Sequence, residues 1–204
     1  MASNQFLRMT RVGGSLLLIA AVIALVLVVA PLDRVLGDVS RLVYLHGAMV
    51  WVALAGFTVA GILGVTHLLT DKPAWHRWSQ GVERSAILFW GGYLPLSVVA
   101  ADLAWNGVFW AEPRWAMAAQ IFIVAVAFQV GGALLDNPQV KSTLNALMAG
   151  AVWWLLLRTP LIIHPDNPIG TSDSVGIKLA FASLVILCGL AALQIARWLR
   201  PRTS

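Results

Sequence analysis

Six apolar stretches, at roughly 12–31, 42–69, 85–104, 115–135, 142–163 and 175–197, dominate this chain, and each continues for about 20 residues with few charges. A helix rises about 1.5 Å per residue and the hydrocarbon core of a bilayer is about 30 Å thick, so each stretch is long enough to cross one. Inside lipid, every backbone N–H and C=O must find its partner within the protein, and a helix satisfies them locally. The chain is therefore predicted to be an all-α membrane protein: one six-transmembrane-helix bundle spanning residues 1–204, with connections too short for a separate soluble domain. Composition agrees, with only 11% charged residues and a mean hydropathy of +0.81, against about a quarter charged for soluble domains. The first stretch follows Arg8 and Arg11 in the manner of a signal peptide. Its length, and Pro31 directly after Ala30, argue for a retained helix.

Charge sets the expected orientation. If the N-terminus is inside, Arg8, Arg11, Lys72, Arg77, Arg84, Lys141, Arg197, Arg200 and Arg202 are cytoplasmic, nine of the fourteen basic residues. Arg34, Arg41, Arg114 and Lys178 then lie at the outer ends, with Asp33, Asp38, Glu112, Asp166 and Asp173 in the outer loops. The positive-inside rule thus predicts a multi-pass protein of the cell inner (plasma) membrane with both termini cytoplasmic. The net charge of +5 is spread over span ends rather than gathered on a face, so nucleic acid is not an expected partner.

An ionisable side chain at membrane depth is costly and is usually kept for binding or transfer. His46 lies near the outer end of the second span, and His164 ends the fifth between Pro160 and Pro165. Two imidazoles on one side of the membrane suggest axial ligation of a haem. Cys188 is the sole cysteine, so a CxxCH attachment is absent and haem b would be held non-covalently. Arg41, at the outer mouth, either binds a haem propionate or merely snorkels. Arg158 either does the same or pairs with Asp102. Trp105, Trp110 and Trp115 suit an interfacial belt, whereas Trp51, Trp153 and Trp154 lie deeper and either line a flat aromatic pocket or pack.

On the second span, His46, Met49, Ala53, Gly56, Ala60 and Gly64 share one face, and the small residues read as a close helix contact. His67 is on that face 21 residues beyond His46, about 31 Å away, and cannot share a cofactor with it. With His76, in what reads as the loop DKPAWHRWSQ, it is expected to be interfacial; the alternative is a ligand to a second, inner haem. No GxxxxGK[ST], HExxH or GxSxG string is present, so ATP hydrolysis and two common hydrolase chemistries are not indicated and no enzyme is expected.

The segment SRLVYLHGAMVW (40–51) resembles the R-x-x-Y-x-H stretch of the CcmC branch of the CcmC/CcsA haem-handling membrane proteins of cytochrome c maturation. WAEPRW (110–115) is similar to the opening W-G-x-P-x-W of that family's tryptophan-rich outer motif, and LIIHPDNPIGTSDS (161–174) occupies the place of its second ligand histidine. The resemblance implies a six-span protein that binds haem through His46 and His164, with Arg41 near the haem and Trp110 and Trp115 flanking it. It implies work beside an ATP-hydrolysing partner and other maturation subunits. After Trp115, however, AMAAQIFIVA (116–125) replaces the family's Trp/Asp platform, and with it goes the basis for hand-off to an outer haem chaperone.

The expected function is thus haem binding and transfer or export for cytochrome c maturation. Two rivals remain at this level. One is a cytochrome b-type electron-carrying subunit that keeps its haem, and the other is a haem-free assembly subunit that retains only the bundle.

Overall fold

The computed structural model describes residues 2–162 and 169–201. It contains helices α1 (Ala2–Val29), α2 (Val39–Thr70), α3 (Pro73–Trp105), α4 (Pro113–Leu135), α5 (Pro138–Arg158) and α6 (Val175–Leu199). All six include a segment long and apolar enough to cross a membrane. The chain is a multi-pass, all-α membrane protein. The connections α2–α3 and α4–α5 lie at the end of the bundle that also receives the C-terminus of α6, here called the termini face. The connections α1–α2, α3–α4 and α5–α6 lie at the opposite, loop face.

Two turns on the termini face share a design. Asp71-Lys72-Pro73 and Asp136-Asn137-Pro138 each place an aspartate at positive φ (51° and 44°), then an extended residue, then proline at the start of the next helix. The left-handed aspartate ends one helix, and its N–H bonds a carbonyl four residues back: His67 O for Asp71 and Gly132 O for Asp136. Proline, which has no N–H to leave unsatisfied, opens the next helix. The α4–α5 turn is further fixed by the Asn137 side chain, which accepts from the N–H of Gln139 and Val140.

This turn also corrects one expectation. DKPAWHRWSQ is not a loop: α3 starts at Pro73, twelve residues before the apolar run at 85. Its first turns are polar because they are buried against other helices, with Ser79, Gln80 and Glu83 at 2% exposure or less. Hydropathy alone misses helix that is buried in protein rather than in lipid. At its other end, α5 stops at Arg158 because Pro160 disfavours helical geometry at Thr159, which is extended.

Helices α2 and α3 form the central pair, with α5 and α6 against them, α4 on α5 and α3, and α1 along α6. The small-residue face of α2 makes this possible. A Cβ on Gly56 would sit 2.8 Å from the Ala86 Cβ of α3, and one on Gly64 would sit 2.6 Å from the Ser142 carbonyl of α5. Gly61 is as tight, 2.4 Å from the Ala149 Cβ. The gain is dispersion from backbones in close contact, since lipid tails remove the usual hydrophobic drive between helices. Toward the loop face the core widens to hold Phe57, Trp90, Tyr93, Ile121, Met148 and Val152. Trp90 meets Phe57 and Tyr93 edge to face and donates its indole N–H to Ala118 O of α4 at 2.9 Å.

A methyl group at Gly64 must push α5 backbone aside. Gly64→Ala is expected to lower stability by about 1–3 kcal/mol, read as a reduced midpoint of thermal unfolding in detergent. Gly150→Ala, where a Cβ meets nothing within 4 Å, serves as the control and is expected to show no loss.

Candidate functional site

The loop face is assembled by its connections. In the α1–α2 loop, Asp33 Oδ1 accepts from the N–H of Val35 and Leu36, and the buried Ser40 hydroxyl donates to Gly37 O. Tyr44, on the second turn of α2, donates to Pro31 O at 3.1 Å. Pro31 in turn packs on Gly176 at the start of α6, where a Cβ would come within 2.9 Å of its ring. From the α5–α6 connection, Ile169 reaches Gly47, beside Phe181 of α6.

His46 sits half-buried on α2 among these contacts, next to Gly47. Its Nδ1 lies 3.2 Å from Leu42 O, one turn back. A carbonyl only accepts, so Nδ1 carries a hydrogen, and in the neutral ring Nε2 is then the nitrogen with the lone pair. That tautomer is the one through which imidazole coordinates a metal, with the other nitrogen fixing the ring's orientation. Met49, one turn further, touches Gly92 of α3. By that register His46 is level with Pro95, which lies inside α3 and leaves the carbonyl of Gly91 without its helical N–H partner.

Arg41 faces α1. Its Nε donates to Leu27 O at 2.9 Å, Nη2 to Val28 O at 3.3 Å, and Nη1 pairs with Asp38. Three of its five N–H groups are engaged. The guanidinium therefore closes the last carbonyls of α1, a role beyond the snorkelling or propionate binding weighed from the sequence. Arg158, exposed at the end of α5, lies over its neighbour Trp154 at 4.9 Å, and the ion pairs among the described residues do not join it to Asp102. Trp110 and Trp115 do come together, with ring centroids 5.4 Å apart. His164 lies outside the described residues.

Arg114, between those two tryptophans in sequence, was not singled out beforehand. Its Nε is buried without a hydrogen-bond partner. A buried guanidinium N–H of this kind suits an anion. The only sequence signal was its place inside WAEPRW. The deeper tryptophans lie toward the outside of the bundle: Trp51, Trp153 and Trp154 are 38–58% exposed. Trp153 donates to Thr58 Oγ1, and the core indole is Trp90.

A second polar constellation forms at the termini face. His67 is not interfacial but 3% exposed. Its ring centroid is 5.2 Å from that of His76, and the Ser142 hydroxyl lies 2.9 Å from His67 Nδ1 and 3.2 Å from His76 Nδ1. Sequence held this signal, since positions 67 and 76 are equidistant from the Asp71-Lys72 turn and an antiparallel hairpin must bring them level. The shared hydroxyl leaves no room for a porphyrin between the rings, so the inner-haem alternative is set aside. Among the described residues, no group of three or more His, Cys, Asp or Glu is placed to hold a metal ion. Ser142→Ala would strand the buried His67 Nδ1. It is expected to cost about 1–3 kcal/mol, measured by thermal unfolding against the conservative Ser142→Thr.

Comparison with known proteins points one way. The chain is 28% identical over 212 residues to a cytochrome c biosynthesis ccmC-like mitochondrial protein of Arabidopsis thaliana, covering 90% of the chain and 75% of the relative. A similarly named protein of Marchantia polymorpha is 26% identical over 197 residues, covering 85% of the chain and 79% of the relative. No family model matches the chain. No solved structure matches it either.

Proposed function

We propose, from 26–28% identity along most of its length to two proteins named as ccmC-like proteins of cytochrome c biosynthesis, that this chain is of the CcmC type and that it binds haem b non-covalently at the loop face and passes it on. The observation that carries this reading is His46, whose Nδ1–H bond to Leu42 O presents Nε2 as a ligand nitrogen. Haem is cargo here rather than a catalytic group, and the protein performs no bond-making of its own.

The residues on this face fit the cargo. Arg114, with a buried unpartnered Nε, supplies a donor for a propionate, and the Trp110–Trp115 pair supplies flat aromatic surface beside it. Arg41 holds α1 in place and retains two N–H groups for a second propionate; Arg158 belongs to the outer rim of the same site. His164 is the proposed second axial ligand. It precedes Ile169 by five residues, at most about 17 Å of chain, and Ile169 lies against Gly47, the neighbour of His46. Neutral imidazoles on both sides would give six-coordinate iron.

Orientation follows from charge. Lys72, Arg77, Arg84, Lys141 and Arg200 belong to the termini face, which by the positive-inside rule faces the cytoplasm or its equivalent. The haem site then opens on the far side of an inner membrane. Without a phosphate loop the chain needs an ATP-hydrolysing partner and other maturation subunits to drive release. The tryptophan platform that would meet an outer chaperone is replaced by α4, and nucleic acid has no part.

Purified protein reconstituted with hemin is expected to show a low-spin spectrum that His46→Ala abolishes and His164→Ala converts to a five-coordinate form. Arg114→Gln is expected to weaken haem binding by about tenfold, or about 1.4 kcal/mol. An unchanged spectrum in His46→Ala would refute the ligand assignment. Absence of saturable hemin binding would favour the haem-free assembly subunit.

A further inference from the structure

The histidine pair at the termini face is the mouth of a longer polar file. Along α3, His76, Ser79, Gln80 and Glu83 recur at intervals of three and four and so form one stripe. Ser79 donates to Ala60 O of α2 at 2.8 Å and accepts from Asn145 Nδ2 of α5 at 2.8 Å. Asn145 Oδ1 accepts from Gln129 of α4, which in turn accepts from Arg84 Nε. Gln80 borders a narrow crevice shared with Gln129, Lys141 and Asn145. The stripe stops at Glu83, ten residues into α3 and about 15 Å along its axis. One turn further, Ala86 abuts Gly56, and Phe57 and Trp90 close the core.

Glu83 is 1% exposed, its Oε2 has no hydrogen-bond partner, and no cation pairs with it among the described residues. Gln80, one turn nearer the mouth and 2% exposed, has an equally unpartnered Nε2. An unpaired carboxylate at this depth would cost several kcal/mol, and a carboxylic acid avoids most of that cost by taking a proton. Ser79, Gln80 and His76 all lie on the termini side of Glu83 along α3.

We propose that Glu83 is a proton-binding site within the membrane, loaded from the termini face through His67, His76 and Ser142 and then Ser79, Asn145 and Gln80. Ser142 has a single hydroxyl hydrogen, so it donates to one Nδ1 while accepting from the Nδ1–H of the other ring. A proton arriving on one imidazole passes by a concerted shift: Ser142 accepts a proton from one Nδ1–H and gives its own to the other Nδ1. At the inner end a Glu83 carboxylate oxygen takes the proton from a hydronium carried inward by water past Ser79, Asn145 and Gln80, leaving water and a carboxylic acid; release is the reverse. The titratable and charged groups around this path are His67 and Asp71 of α2, His76, Arg77 and Arg84 of α3, Lys141 of α5, and Arg200 beyond α6, over Trp78. From α4 come the neutral Gln129 and the C-cap carboxylate Asp136, which accepts from Lys141 at 2.7 Å.

The test uses the full chain in liposomes and dicyclohexylcarbodiimide, which adds to a protonated buried carboxyl and leaves a stable N-acylurea. One adduct per chain is expected at Glu83 by peptide mass mapping, with labelling lost at alkaline pH and absent in Glu83→Gln. Hydrogen–deuterium exchange of the protonated-carboxyl infrared band is expected to slow several-fold in Gln80→Leu. An adduct confined to other carboxylates, a Glu83 that stays unlabelled at neutral pH, or an exchange rate unchanged in Gln80→Leu would overturn the proposal. Should Glu83→Gln fail to accumulate, the mapped site in the unaltered protein decides alone.

Discussion

The close approach of α2 to α3 and α5, set by glycines where any Cβ would collide, is the constraint on which the rest depends. Gly56 fixes the level of α3 through Ala86, and Gly64 fixes that of α5 through the Ser142 carbonyl. Once these registers are set, the side chains at both ends of α2 have determined neighbours. Met49 meets Gly92 and places His46 level with Pro95. At the other end, His67 meets Ser142. Small residues thus act as the ruler that aligns two polar sites more than 30 Å of helix apart.

The loop face shows how such a site is held without a soluble domain. Arg41 caps the carbonyls of α1, Tyr44 holds Pro31, and Ile169 rests on Gly47. These contacts tie α1 and two connections to the first three turns of α2, the segment that carries His46. Helix α1 has little buried surface of its own, so the Arg41 contact matters more to it than any one core residue. This gives Arg41 a structural role. A change at Arg41 therefore alters α1 docking, whereas the buried Arg114 Nε has no hydrogen-bond partner to lose.

Much of this architecture was legible in the residues. Six spans and the packing face of α2 follow from hydropathy and helical period. Two things did not follow. The start of α3 was hidden because Ser79, Gln80 and Glu83 are polar yet buried, and a hydropathy window assumes that whatever leaves water enters lipid. Arg114 was hidden for a related reason: a cation at a span end looks like an interfacial anchor until neighbours show its Nε enclosed. The meeting of His67 and His76 was available from the symmetry of the Asp-Lys-Pro turn, but only if the polar segment after Pro73 is taken as helix.

The bundle is divided by its own core. Trp90, Phe57, Tyr93 and Ile121 fill the level between Glu83 and the loop face, where the Trp90 N–H is committed to Ala118 O and the Tyr93 hydroxyl is the group among the four that can exchange a proton. A change in the protonation of Glu83 changes the charge inside the bundle. A charge appearing there would be felt most by α2, α3 and α5, the helices whose glycine contacts set the level of His46. Coupling of such a charge to the level of His46 would travel through that packing.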